Sequence, residues 1–219
     1  MAEFTIYLGN KNYSSWSLRP WLLLKLSGLD FEEVVIPLSE PATRATILRY
    51  SPSGRVPALK HGELVVCESL GIAEYLAELC PERQFWPADR TARAEARAAA
   101  LEMHAGFAAL RGYMPMNIRS SFPNRVPTPE VWADIARITT IWRDLRRRYG
   151  EKAEGPFLFG GFTVTDAMFA PVVSRFRTYG VALDETCQAY AEAVWTLPAF
   201  AEWQQASRDE PMVIDDNEF

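Results

Sequence analysis

The chain has 219 residues, 48% hydrophobic and 12% aromatic, enough for one large domain or two modest ones with ample core, and too apolar for general disorder. Lys and Arg number 23 against 28 Asp and Glu, a net charge of -5, so the basic footprint with which nucleic-acid binders neutralise phosphates is missing. No run approaches the roughly 20 apolar residues that cross a bilayer, and no basic segment followed by an apolar one opens the chain, which predicts a soluble cytoplasmic protein without membrane or nucleic-acid partners.

Phe4-Thr5-Ile6-Tyr7-Leu8 has strand composition, and Leu18, Trp21, Leu22 and Leu26 then recur at helical spacing until Ser27-Gly28 stops the pattern. Val34-Val35-Ile36 reads as a second short strand, Thr43 to Tyr50 as a second helix, and Ser51-Pro52-Ser53-Gly54 as a turn. Pro57 to Lys60 and Glu63 to Val66 read as two strands joined through His61-Gly62, a loop suited to a tight hairpin. Ser69 is expected to cap a third helix containing Ile72, Tyr75, Leu76 and Leu79. The order β-α-β-α-β-β-α predicts a thioredoxin-like α/β sheet over residues 1–82.

Cys80-Pro81-Glu82-Arg83-Gln84-Phe85-Trp86-Pro87 breaks the periodicity and marks the expected linker. Beyond it the chain reads as an all-α domain over residues 90–219. An alanine-rich helix is predicted from about Arg90 to Arg111, with Met103, His104, Phe107 and Arg111 on one face. Another runs from Pro129 to Tyr149, stopped by Gly150, with Arg146, Arg147 and Arg148 read as a solvated basic end. Thr163-Val164-Thr165-Asp166 resembles a capping box with Asp in place of Glu, opening a helix to about Thr178 that Pro171 is expected to kink. The acidic tail after Asp209 is expected to be poorly ordered except at Met212-Val213-Ile214.

Many chemistries are absent from the sequence. There is no phosphate-cradling glycine motif, no His-Glu-x-x-His and no Gly-x-Ser-x-Gly. With only His61 and His104, neither a zinc cage nor a Ser-His-Asp triad is expected, and no metal. Cys67, Cys80 and Cys187 are odd in number and widely spaced, so no disulfide framework or Cys-x-x-Cys centre is available. What remains is the run Asn10-Lys11-Asn12-Tyr13-Ser14-Ser15-Trp16-Ser17-Leu18-Arg19-Pro20. It sets hydroxyls and free N–H groups at the positive end of a helix, where an anion is stabilised. Arg55-Val56-Pro57 precedes a strand at the position where thioredoxin-like folds hold a cis proline. Glu68-Ser69, at a helix start, offers a carboxylate beside a hydroxyl, able to hold an amino group and a carboxylate together.

In that order, Ser14-Ser15, Val56-Pro57, Glu68-Ser69 and Thr163-x-x-Asp166 make the chain resemble a cytosolic glutathione transferase over about residues 4 to 208. The run from Ser14 to Arg19 is similar to the Ser-Ser-Cys-x-x-Arg motif of the zeta class, with Trp16 in place of the cysteine, and the longer run looks like a bacterial subgroup of the family. The resemblance implies a glutathione-binding N-terminal domain, a helical domain supplying the electrophile pocket, a homodimer, and a role in detoxification with glutathione as co-substrate. Ser14 would stabilise the thiolate, with Ser15 and Tyr13 as alternatives, because a one-residue change in where the helix begins redirects these side chains. Lys11, Arg44 and Arg55 are the candidate cations for the glutathione carboxylates, Val56 and Pro57 would hold the cysteinyl part, and Glu68 and Ser69 the γ-glutamyl end. Trp16, His104, Phe107, Arg111 and Tyr113 are the expected lining of the electrophile pocket, while Arg19 braces the first helix. Transfer to small apolar electrophiles is the leading expectation, followed by a zeta-like isomerase or peroxidase, and then by a non-catalytic binding module.

Overall fold

The computed structural model describes residues 3–219. Met1 and Ala2, with which the expected N-terminal half begins, lie outside the described residues. Strand β1, Phe4–Leu8, is followed by helix α1, Ser15–Ser27, and strand β2, Phe31–Val35. After helix α2, Thr43–Leu48, strands β3, Ala58–His61, and β4, Leu64–Cys67, lead to helix α3, Ser69–Leu79. The four strands form one sheet in the order β2-β1-β3-β4, parallel between β1 and β2 and antiparallel elsewhere.

The differences from the expected elements have local causes. Strand β2 begins at Phe31 rather than Val34; it is an edge strand whose exposed Glu32 and Glu33 carry no apolar pattern. The hairpin loop is Gly62-Glu63, one residue later than expected, since His61 pairs with Leu64 and Gly62 takes φ +58°. Helix α1 stops where Gly28 adopts the left-handed conformation at φ 80°. Glu68, not Ser69, caps α3: its carboxylate accepts the Leu70 N–H.

Alternation along the strands gives the sheet two buried faces. Ile6, Leu8 and Leu59 join α1 and α3 in a core continuous with the helical half, through Trp21, Leu76, Met103, Trp142, Phe169 and Trp203. On the other face Tyr7, Ile36, Ile47 and Ala58 form a small cluster. The segment between the halves is packed, with Phe85 and Trp86 buried and the Phe85 carbonyl accepting the Val164 N–H.

The helical half contains α4, Arg90–Ala105; α5, Ala108–Tyr113; α6, Pro129–Leu145; α7, Val164–Thr178; α8, Glu185–Trp195; and α9, Pro198–Asp209. The single helix expected to Arg111 is two, because Phe107 sits at φ 56° after Gly106, a backbone that no helix continues through. Met103, His104, Phe107 and Arg111 therefore do not share one helical face. The basic run beyond α6 is not a plain solvated end: Arg146 turns inward to the carbonyls of Gly155 and Phe157, and Arg147 and Arg148 pair with Asp144 and Glu95. At the start of α7 the Thr163–Asp166 capping box is present, and the helix continues past Pro171. The tail after Asp209 is corrected most. It folds back onto the loop before α1, held by polar contacts of Glu210, Asn217 and Glu218, while Val213, expected among its ordered apolar residues, is exposed.

Candidate functional site

Between the sheet end and the helical half lies a cavity of about 450 Å³ lined by Trp16, Ser53, Arg55, Val56, Pro57, Cys67, Glu68, His104 and Arg111. Five of the expected binding or pocket residues meet there from the N-terminal half, Trp16, Arg55, Val56, Pro57 and Glu68, with two more, His104 and Arg111, from α4 and α5. The Val56–Pro57 peptide bond is cis.

Glu68 is the most constrained member. It holds φ 80°, an uncommon backbone for a residue with a Cβ and one that clusters at binding sites. Its Oε2 lies 2.9 Å from His104 Nε2 and 3.2 Å from the Leu70 nitrogen. Burial alone would raise its pKa, but the His104 hydrogen bond and the Leu70 N–H more than offset that and hold the carboxyl below its ordinary value. Beside it Ser69 is fully buried and its Oγ has no hydrogen-bond partner among the described residues. A buried hydroxyl without a partner costs stability unless something else satisfies it.

Ser14 occupies the position before α1 without capping the helix through its side chain. Its Oγ donates to Ser17 Oγ at 2.7 Å, and Ser17 Oγ accepts the Gly9 N–H at 2.9 Å. Ser15 is the first residue of α1, buried, and its carbonyl accepts from Arg19 Nη1 at 2.9 Å. Tyr13 turns away from the cavity and donates its hydroxyl to Glu218 at 2.5 Å.

The cations divide. Arg55 lines the cavity. Arg44 is exposed near Gly54, outside that lining. Lys11 is not available: its ammonium pairs with Glu33 and sits 5.2 Å from the ring centroids of both Trp21 and Trp203. On the opposite wall the Trp16 ring has two guanidinium groups near its centroid, Arg19 at 4.2 Å and Arg111 at 5.4 Å, with the His104 ring at 5.2 Å. Arg19 braces α1 as expected, and also reaches the Met168 carbonyl at 3.0 Å across the two halves. It is buried and its Nη2 has no partner among the described residues. Burial, then the neighbouring Arg175 and Arg111, push its pKa well below the ordinary arginine value, against the pull of Glu68.

Phe107 and Tyr113 lie outside the cavity lining. Phe107 is buried in the core, and the Tyr113 hydroxyl donates to the Val126 carbonyl at 2.9 Å. Sequence reasoning missed Ser53 and Cys67, which join the lining because β4 ends beside the turn before Pro57; strand pairing of Cys67 with Ala58 is the signal that would have found the cysteine. It also missed Ser17, legible as the residue one helical turn beyond Ser14.

Residues 13–79 match the family model "Glutathione S-transferase, N-terminal domain". The chain is 36% identical over 94 residues to "Glutathione S-transferase 1" of Dianthus caryophyllus, a match covering 42% of this chain and 41% of that protein. It is 25% identical over 193 residues to the "Probable maleylacetoacetate isomerase" of Caenorhabditis elegans, covering 85% and 87%. Among solved structures, a glutathione transferase homolog from Burkholderia GL BGR1 with bound glutathione superposes at a TM-score of 0.70 with 25% identity, covering 96% of this chain and 100% of that one. The sheet, the cis proline, the cavity and these matches agree: residues 13–79 match a glutathione S-transferase N-terminal domain, and the chain as a whole is similar in fold to a solved glutathione transferase homolog.

Proposed function

We propose that this protein is a glutathione S-transferase that presents the glutathione thiolate to a small electrophile. The observation that carries the reading is the cavity itself, in which Arg55, Val56, Pro57 and Glu68 face Trp16, His104 and Arg111; the buried Ser69 hydroxyl, without a partner among the described residues, follows Glu68 in the chain. Residues 1–82 serve as the glutathione-binding half and residues 90–219 as the helical half. Glu68 receives the α-amino group of the γ-glutamyl end and Ser69 donates to its carboxylate. Arg55 supplies the cation for the other carboxylate, and the Val56 backbone pairs with the cysteinyl part. Lys11, tied to Glu33, takes no part.

Ser14 favours the thiolate by donating a hydrogen bond to it, exchanging its present bond to Ser17 for the sulfur. A free thiol has a pKa of about 8.5, and lowering it by about 2 units takes about 2.7 kcal/mol of preference for the thiolate. A hydrogen bond to a charged group supplies about 1.5–3 kcal/mol and the helix end about 0.3–1 more. No histidine base is required. The family resemblance supports a cytoplasmic homodimer acting in detoxification.

One observation favours a second reading. Arg111 lines the cavity beside Trp16 at the wall expected to take the electrophile, which suits an anionic substrate and hence a zeta-like isomerase; a peroxidase variant has no comparable support. Calorimetric titration with glutathione tests the core of the proposal, with saturable binding below about 10 mM expected. Absence of heat over that range would leave a non-catalytic module. Assays with chlorodinitrobenzene, maleylacetoacetate and cumene hydroperoxide then separate transfer, isomerisation and peroxide reduction.

A further inference from the structure

The loop that carries Ser14 is fixed from outside its own half. The Lys11 N–H donates to Glu210 Oε2 at 2.5 Å and the Asn12 N–H reaches Glu210 Oε1 at 3.4 Å. The Lys11 carbonyl accepts from Trp203 Nε1 at 2.8 Å. The Asn12 carbonyl accepts the Ile118 N–H at 3.4 Å, while its side chain donates to Asn117 Oδ1 at 2.8 Å and accepts the Arg119 N–H at 3.0 Å. The Tyr13 hydroxyl donates to Glu218 and accepts from Arg119 Nη2 at 2.9 Å. Arg119 also holds the tail backbone, through the carbonyls of Glu210 at 2.7 Å and Met212 at 3.0 Å. The backbone groups of Lys11 and Asn12 and the polar side-chain atoms of Asn12 and Tyr13 are thus partnered by residues beyond position 116. Asn12 is fully buried, so no water replaces these partners at low cost.

We infer that the C-terminal tail is a strap that positions the thiolate-stabilising loop, with Glu210 as its chief positioning residue and Glu218 as a second, outer anchor. Glu210 acts through the Lys11 and Asn12 amides and touches neither glutathione nor electrophile. Losing its carboxylate leaves two N–H groups of the loop unpaired, and the turn closed by the bond from the Ser14 N–H to the Asn10 carbonyl then frays. The Ser14 hydroxyl loses its fixed position, and thiolate stabilisation weakens while the cavity walls contributed by Arg55 and Glu68 stay in place. The part of this inference that concerns the thiolate rests on the proposed transferase function; the part that concerns the loop does not.

The full-length chain is compared with Glu210→Ala, Glu210→Gln and Glu218→Gln by amide hydrogen exchange and by pH-rate profiles from pH 6 to 9.5. Exchange at Lys11, Asn12 and Ser14 is expected to quicken about tenfold in Glu210→Ala and less in the other two. The acidic limb of kcat/KM is expected to move up by about half to one pH unit, the deficit vanishing above about pH 9, where the thiol ionises unaided. General destabilisation gives no such rescue at high pH. Unchanged exchange in all three variants overturns the strap; faster exchange with a deficit equal at every pH overturns its coupling to Ser14. If Glu210→Ala fails to fold, Glu218→Gln, altered at a partly exposed anchor, decides the question alone. A wild-type chain that binds no glutathione refutes the functional proposal, and the exchange data then decide the strap by themselves.

Discussion

Ser14 Oγ and Ser17 Oγ lie 2.7 Å apart, and the hydrogen between them belongs to Ser14. Ser17 is buried and anchored by the Gly9 N–H, so Ser14 is the member free to turn. Its hydroxyl is held beside the start of α1, ready to trade one acceptor for another.

Replacing Ser14 by Ala removes that donor and leaves the Ser17–Gly9 bond in place. Conjugation at pH 6.5 is expected to fall tenfold or more, corresponding to about 1.4 kcal/mol of lost thiolate preference. The pKa of the bound thiol, followed by thiolate absorbance, is expected to rise by about one unit or more. An unchanged pH-rate profile would transfer the role to Ser15, whose side chain also sits at the helix start.

Glu68→Gln keeps the side-chain length and one oxygen to cap α3 while removing the charge. The KM for glutathione is expected to rise about tenfold, and kcat at saturation to stay within about threefold, since the loss falls on ground-state binding. Because the carboxyl is held below its ordinary range by His104 and the Leu70 N–H against the opposing effect of burial, wild-type Glu68 stays ionised as pH falls from 7 to 5. The ratio of the two KM values is therefore expected to be constant over that interval. An equal KM in mutant and wild type would remove Glu68 from the binding set.

Much of this arrangement is legible in the sequence because its signals are local. The strand and helix order, the Val56-Pro57 step before β3 and the Glu68-Ser69 pair at the start of α3 each lie within a few residues. The break between α4 and α5 is not, because an alanine-rich run ending in Gly106-Phe107-Ala108 scores as one helix, and only tertiary packing of Phe107 sets its positive φ. The removal of Lys11 to Glu33, Trp21 and Trp203 depends on the direction of one side chain. The ordered tail was least visible of all: its partners lie nearly 200 residues away in the chain, and polar contacts at such a distance leave no periodicity.

Arg111→Leu separates the two functional readings. The residue stacks on Trp16 and donates to the His104 carbonyl at 3.1 Å, yet its guanidinium also lines the cavity. If the electrophile is anionic, kcat/KM for maleylacetoacetate is expected to fall tenfold or more while that for chlorodinitrobenzene changes less than threefold, a difference of about 0.7 kcal/mol or more. Equal losses for both substrates would reduce Arg111 to a support for Trp16 and favour transfer to neutral electrophiles.

Asp166 sets two physical effects against each other. It is fully buried, which raises its pKa, and it accepts from the Leu158 N–H at 3.1 Å, the Thr163 N–H at 2.8 Å and Thr163 Oγ1 at 2.7 Å, which lower it. Burial wins, and the carboxyl is pushed up from 3.8 to about 6. Between those two values the folded chain binds a proton that the unfolded chain has released, so this group's contribution to stability declines as pH rises through that window and is level above it. The decline amounts to at most about 3 kcal/mol. Asp166→Asn offers one oxygen to three donors and is expected to cost roughly 1–3 kcal/mol. Because Asn does not titrate, the gap between mutant and wild type should be widest at about pH 4 and below and narrow by pH 7.5, as read from urea unfolding at both ends. A gap that widens with pH would mean that the three donors outweigh burial and that the ionised carboxylate is the form the capping box holds.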